Sequence, residues 1–254
     1  ALTVASRQIE VLGRAATVYG MTGPDGRLGI YAQEGDRFAG QILNATDQGL
    51  ITHWHGQIGA AEGQDRSYTG GGELAPGATD AVDFLLTPGT HWMHSHQLTE
   101  QQLLAAPMIT READAEDIQE VVLMLHDFAF RSPEEILAEL GVSMMHGHGA
   151  TGNESGSMPG MAMDHSAMNM GGMDMGGMAM GGMMTHANDV KFDAYLANDR
   201  TLDDPEVVQV DPGARVRLRI INGAGATAFW IDPGVLPSAC IATDGGACEP
   251  LSAA

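Results

Sequence analysis

Four histidines stand in two pairs of the same spacing, His53 with His55 and His94 with His96. On a β-strand, residues i and i+2 point to the same side. Each pair therefore presents two imidazoles on one face and puts Trp54 or Ser95 on the other. The separation along the strand is about 6–7 Å, a reach that serves two neighbouring metal ions, or one ion that draws both rings in. If the two strands lie near each other, four imidazoles converge. Imidazole suits copper, zinc, iron and nickel, and no carboxylate or cysteine sits within either motif. A zinc hydrolase would in addition need a general base poised beside the rings. His91 stands three residues before His94, so on a strand it faces away from the pair, and we read it as structural.

A second concentration of ligand atoms follows. Thirteen of the chain's 17 methionines fall between Met144 and Met184. They are Met144, Met145, Met158, Met161, Met163, Met168, Met170, Met173, Met175, Met178, Met180, Met183 and Met184. Together with His146, His148 and His165 they are candidate copper(I) ligands, because thioether sulfur is soft. Methionine is otherwise a core residue. A segment with this much glycine keeps no helical or strand period and builds no core, so a flexible loop is expected. The plainer alternative is a low-complexity linker. The only cysteines, Cys240 and Cys248, lack C-x-x-C spacing, and either a disulfide or two free thiols is compatible with that.

The elements that must carry the histidines read as β-structure. Arg215, Arg217 and Arg219 alternate with Val216, Leu218 and Ile220, the period-2 signature of a half-buried strand. Phe38, Ile42 and the run Val121 to Leu125 mark further strands, separated by turns at Pro24-Asp25-Gly26, Pro76-Gly77 and Pro88-Gly89. One helix is signalled by Ser132 as N-cap, Pro133 at its first position and Glu135, with Gly141 ending it. Gly35 to Asn44 also lines up with Gly213 to Asn222 as an internal repeat, with Trp54 matching Trp230. Many short strands favour a β-sandwich. The expected organisation is a first sandwich at 1–143, the methionine-rich insert at 144–188, and the start of a second, incomplete sandwich at 189–254.

Charge is one-sided: 12 Lys and Arg against 33 Asp and Glu, formal net −21. Such a surface repels nucleic acid and anionic membranes and attracts cations. Apolar stretches such as Val121 to Leu125 fall far short of the roughly 20 residues that span a bilayer. No basic segment followed by an apolar one opens the chain as a signal peptide would. Nucleic-acid and membrane partners are therefore not expected.

Thr52-His53-Trp54-His55-Gly56 and Gly89 to His96 resemble the first two copper signatures of the multicopper oxidases. The resemblance extends through Glu100-Gln101-Gln102, Pro107-Met108-Ile109, Asp193 to Arg200 and Arg217 to Gly223. With the methionine-rich insert it is nearest the laccase-like, bacterial copper-resistance branch. It implies cupredoxin-like sandwiches of Greek-key form. It also implies that His53 ligates a type 2 copper, while His55, His94 and His96 ligate a type 3 pair. In that family the trinuclear cluster reduces dioxygen to water with electrons from a type 1 copper, which oxidises a small reducing substrate such as copper(I) or a phenol. Asp65 lies about where the family places a carboxylate that assists proton delivery, although the family's Asp-Gly-x-Pro context is replaced by Gln64-Asp65-Arg66-Ser67. The family's later motifs, H-P-x-H-x-H and H-C-H-x-x-x-H, are not in this sequence. The resemblance thus implies a periplasmic or secreted parent enzyme whose carboxy-terminal region supplies the type 1 ligands and the rest of the cluster, and a chain inactive by itself. The rival expectation is a non-catalytic copper-sequestering protein.

The density of thioethers generates a first prediction. Deleting residues 144–188 is expected to leave the first sandwich folded while copper(I) capacity falls by several ions, measured by competition with a colourimetric chelator. Unchanged capacity would make the segment a linker.

Overall fold

The computed structural model describes residues 1–60, 63–115, 118–140 and 190–252. The candidate ligands between Met144 and His186 lie outside the described residues. The chain is all-β and cupredoxin-like. Its first strands are β1 (Leu2–Val11), β2 (Arg14–Thr22), β3 (Ile30–Gln33), β4 (Arg37–Asn44) and β5 (Thr52–His55). A short helix α1 (Arg66–Thr69) follows, then β6 (Thr79–Leu85), β7 (Gly89–Ser95) and β8 (Ala105–Arg111). After these come β9 (Gln119–Phe128), α2 (Pro133–Glu139), β10 (Ala194–Ala197), β11 (Val216–Asn222) and the hairpin β12 (Ala239–Thr243) with β13 (Gly246–Ser252).

Two four-stranded sheets, ordered β2-β1-β4-β6 and β3-β8-β7-β5, face each other. Alternation along each strand sends every second side chain into the space between them. One cluster joins Leu2, Val4, Ile42, Val82 and Phe84 of the first sheet to Trp54, Met93 and Met108 of the second. Trp54 sits edge-on to Phe38 with ring centroids 5.6 Å apart. Fully burying such side chains stabilises by about 1.5–3 kcal/mol each, and this apolar layer positions β5 and β7.

A third sheet, β10-β9-β11, is built as the internal repeat implies. β4 pairs parallel to β1 with Asn44 against Val4, and β11 pairs parallel to β9 with Asn222 against Leu125. The two aligned asparagines even make the same turn. Asn44 Oδ1 accepts from Thr46 N at 3.1 Å, and Asn222 Oδ1 accepts from Ala224 N at 3.1 Å. β9, which precedes the methionine-rich segment, pairs with β10 and β11, which follow it. The matched tryptophans differ, with Trp54 buried and Trp230 exposed. The helix forms with its capping box, Ser132 Oγ accepting from Glu135 N and Glu135 accepting from Ser132 N.

The expected strand at Arg215 to Ile220 forms, but the buried face is the basic one. Leu218 and Ile220 are exposed, and Arg219 is 3% exposed. The reason is electrostatic. Arg219 reaches Glu112 at 2.7 Å and Glu120 at 2.8 Å, and a paired, hydrogen-bonded guanidinium tolerates burial. Burial alone would raise both carboxyl pKa values, but the Arg219 hydrogen bonds more than offset it and hold them below the ordinary carboxylate range.

Arg219→Met is expected to cost about 3 kcal/mol at neutral pH, because it removes the buried partner of two partly buried carboxylates and leaves them the longer contacts to Arg217. Groups whose pKa is depressed by folding contribute stability above their unfolded pKa and lose it as pH falls through the folded value. The gap between parent and variant should therefore narrow on acidification below the carboxylate range. Urea midpoints measured at neutral pH and in acid check both the size and the sign.

Candidate metal centre

β5 and β7 run antiparallel, with His53 opposite His94, Trp54 opposite Met93 and His55 opposite Trp92. Residues so opposed have Cβ atoms about 4.5–5.5 Å apart. One face therefore carries His53, His55, Trp92 and His94, and His96 extends it just past the end of β7, where its N–H donates to Ile51 O at 2.8 Å. The opposite face sends Trp54 and Met93 into the core. The four imidazoles pack with centroid separations from 5.0 to 5.7 Å. One nitrogen from each of His53, His94 and His96 lies within 4.8 Å of the others. His55 stands beside this trio, its ring 5.3 Å from that of His53.

Outer contacts engage Nδ1 of His53 and of His94. Asp65 caps α1, accepting from Ser67 N, and its buried Oδ2 takes His53 Nδ1 at 2.8 Å and Trp54 N at 2.9 Å. Ser67 Oγ donates to Asp65 Oδ1 at 2.6 Å. Burial would raise the Asp65 pKa, but the hydrogen bonds from His53, Ser67 and Trp54 override it and lower it to about 2. His94 Nδ1 lies 2.9 Å from Glu100 Oε1, while His94 Nε2 is buried with no hydrogen-bond partner. Burial first, and the neighbouring His53 and His94 second, push the pKa values of His55 and His96 down. Those two rings are thereby biased towards the neutral form that donates a lone pair.

An orphaned buried imidazole nitrogen facing others is what a bound metal ion would satisfy, and an all-imidazole donor set with no thiolate fits copper. His91 stands on the other side of β7, its Nε2 3.0 Å from Pro88 O. A Cβ at position 56 would come within 2.1 Å of the His91 ring, so the glycine after His55, at φ 82°, makes room for it. The sequence reading missed two supports of the site. Trp92 lies flat on His94, 4.0 Å between centroids and 12° between planes. Glu100 is the other, and its signal in the sequence is an acidic residue four to six positions after a ligand pair. His126, also passed over, is buried in β9 with Nδ1 3.0 Å from Gly223 O, away from the group. Cys240 and Cys248 are free thiols on the last hairpin.

Fold and site together define a cupredoxin-like β-protein with a histidine cluster that could hold a metal ion. Residues 3–114 match the model of the multicopper oxidase family. A copper resistance protein A homolog of Pseudomonas syringae pv. tomato is 25% identical over 98% of this chain and 44% of its own length. Multicopper oxidase MmcO of Mycobacterium tuberculosis is 28% identical over 80% of this chain and 38% of its own. The chain thus spans under half the length of these relatives. Among solved structures, the blue copper oxidase of Nitrosomonas europaea superposes with a TM-score of 0.60 at 18% identity, covering 99% of this chain and 69% of that one. The multi-copper oxidase of Pseudomonas thermotolerans gives 0.61 at 16% identity, over 98% and 53%.

The convergence of rings around His94 predicts that His94→Ala with His96→Ala removes most tightly bound copper(II) from the globular part. Metal analysis after dialysis is the check, and full retention would move the site elsewhere.

Proposed function

We propose that this chain supplies the amino-terminal ligands of a trinuclear copper cluster in a multicopper oxidase acting in copper tolerance. The observation that carries the reading is the direct opposition of His53 and His94 across β5 and β7, which gathers four imidazoles on one face. His53 would hold the type 2 copper, and His55, His94 and His96 the type 3 pair. When bound, the cluster supplies four-electron reduction of dioxygen to water.

The protein's own groups divide the remaining work. Asp65 orients His53, and with a pKa near 2 its carboxylate is a poor proton donor at neutral pH. Its contacts therefore favour an orienting role over the proton-relay role that the family resemblance implies. Trp92 covers one side of His94 and His55 and keeps water from that flank. The thioethers between Met144 and Met184 gather copper(I), the favoured reductant, with phenols as the second substrate class. The names of the copper-resistance relatives support the setting in copper tolerance, and the reading includes a periplasmic or secreted location. Among the described residues no helix is long and apolar enough to cross a membrane.

The test is oxygen uptake with copper(I) and with a phenol. The copper-loaded 254-residue chain should show no steady turnover, and a polypeptide that also carries the H-P-x-H-x-H and H-C-H-x-x-x-H motifs should turn over and be blue. Stoichiometric copper(I) uptake without oxygen consumption by both would favour sequestration instead.

A further inference from the structure

We propose that Glu100 is a positioning residue for the metal centre: it holds the proton of His94 on Nδ1, so that Nε2 is presented as the ligand. The inference rests on the copper reading for the identity of the metal, but the arrangement is visible in the metal-free chain.

A neutral imidazole has one N–H, and the partner of one nitrogen decides what the other can do. His94 Nδ1 is hydrogen-bonded to its neighbour's carbonyl, Ser95 O, at 3.1 Å, and the Glu100 carboxylate stands beside the same nitrogen, Oε1 2.9 Å away. Both need a donor, so the proton belongs on Nδ1. Nε2 is then a lone pair, buried and without any partner in the protein. Trp92, stacked 4.0 Å away and 12° from parallel, fixes the plane of the ring, and Glu100 fixes its rotation within that plane. A carboxylate behind an imidazole also makes the ligand more basic, and losing such a partner typically costs about 10–100-fold in metal affinity.

Glu100 is itself held. It sits in a 3-10 turn, Leu98–Gln102, closed by Leu103 in the left-handed region at φ 62°. Thr99 Oγ1 donates to Ser95 Oγ at 2.7 Å, tying the turn to the strand that bears His94. The next residue, Gln101, donates to Asp127 Oδ1 at 2.9 Å, and Asp127 also takes Gly225 N and Ala226 N, each at 3.0 Å. The turn is thus anchored to β9 on one side and to the histidine strand on the other. Glu100 supports His94 from a fixed mount rather than from a free loop.

The experiment uses the whole chain, copper(II) as the probe, and two readouts. Long-range proton–nitrogen NMR of the metal-free protein should show His94 as the Nδ1–H tautomer. In Glu100→Ala that resonance pattern should move toward a mixture or the Nε2–H form, and copper(II) affinity by competition should fall about 10–100-fold. Glu100→Gln keeps an acceptor oxygen in place, folds with the least disturbance, and should retain the tautomer while losing part of the affinity. An unchanged tautomer together with unchanged affinity in Glu100→Ala would overturn the proposal. His94→Ala serves as the control for the metal itself. If it retains all copper(II), the copper reading of His94 fails, and the tautomer measurement still decides whether Glu100 positions the ring.

Discussion

The antiparallel register of β5 on β7 is the constraint from which the rest of the site follows. With period 2 along a strand, a slip of one residue exchanges the two faces of the pair. Here that exchange would turn Trp54 and Met93 out of the core cluster and drive imidazoles into it. Exposing the two apolar side chains costs about 1.5–3 kcal/mol each, before any charge for burying unpaired ring nitrogens. The register of the histidines is therefore enforced by the residues between them. Gly56 completes the device, since any side chain there would collide with His91, which packs under the strand end.

Once the rings face one another, their chemistry is decided by what stands behind them. Asp65 and Glu100 take the outer nitrogens of His53 and His94 from opposite directions, one from the cap of a four-residue helix and the other from a 3-10 turn. Asp65 accepts a hydrogen bond from the His53 ring, Glu100 stands 2.9 Å from His94 Nδ1, and each adds negative charge near a set of neutral donors, which favours a cation between them. Asp65 is saturated by local contacts, three of its donors coming from Trp54 and Ser67. Glu100 is tied instead through its neighbour Gln101 to the third sheet. The two supports thus couple the site to different parts of the fold.

Much of this was legible in the sequence, and the boundary of what was not has a physical cause. The i, i+2 histidine pairs, the strands at Phe38–Ile42 and Val121–Leu125, and the capped helix at Ser132 all depend on local spacing, and all appear where local spacing puts them. The repeat between Gly35–Asn44 and Gly213–Asn222 reappears as the same parallel pairing and the same asparagine turn. Local pattern ran out where a long-range partner decides which face is buried. Arg215 to Ile220 reads as a half-buried strand, and it is Glu112 and Glu120, about a hundred residues earlier, that draw Arg219 inside. Trp92, two residues before His94 on β7, shares its face by period 2 alone, whereas the approach of Glu100 depends on the fold of the 3-10 turn.

The two groups of candidate ligands differ in a way that gives the proposed function a direction. Imidazoles backed by carboxylates are borderline donors in a negatively charged setting, which stabilises the more highly charged copper(II). Thioethers are soft and uncharged, and they stabilise copper(I). A chain carrying both kinds therefore separates the two oxidation states between two places rather than averaging them in one. On the proposed function, copper(I) held among thioethers would stay reduced until used as a reductant, while the histidine face would retain the metal that cycles. The overall charge of −21 raises the local concentration of either cation without choosing between them, so the selection falls to the ligand atoms. That division is chemically useful only if electrons can leave the copper(I) for an acceptor other than the thioethers themselves. It is this requirement that makes an oxidase a more complete account of the two ligand sets than a store.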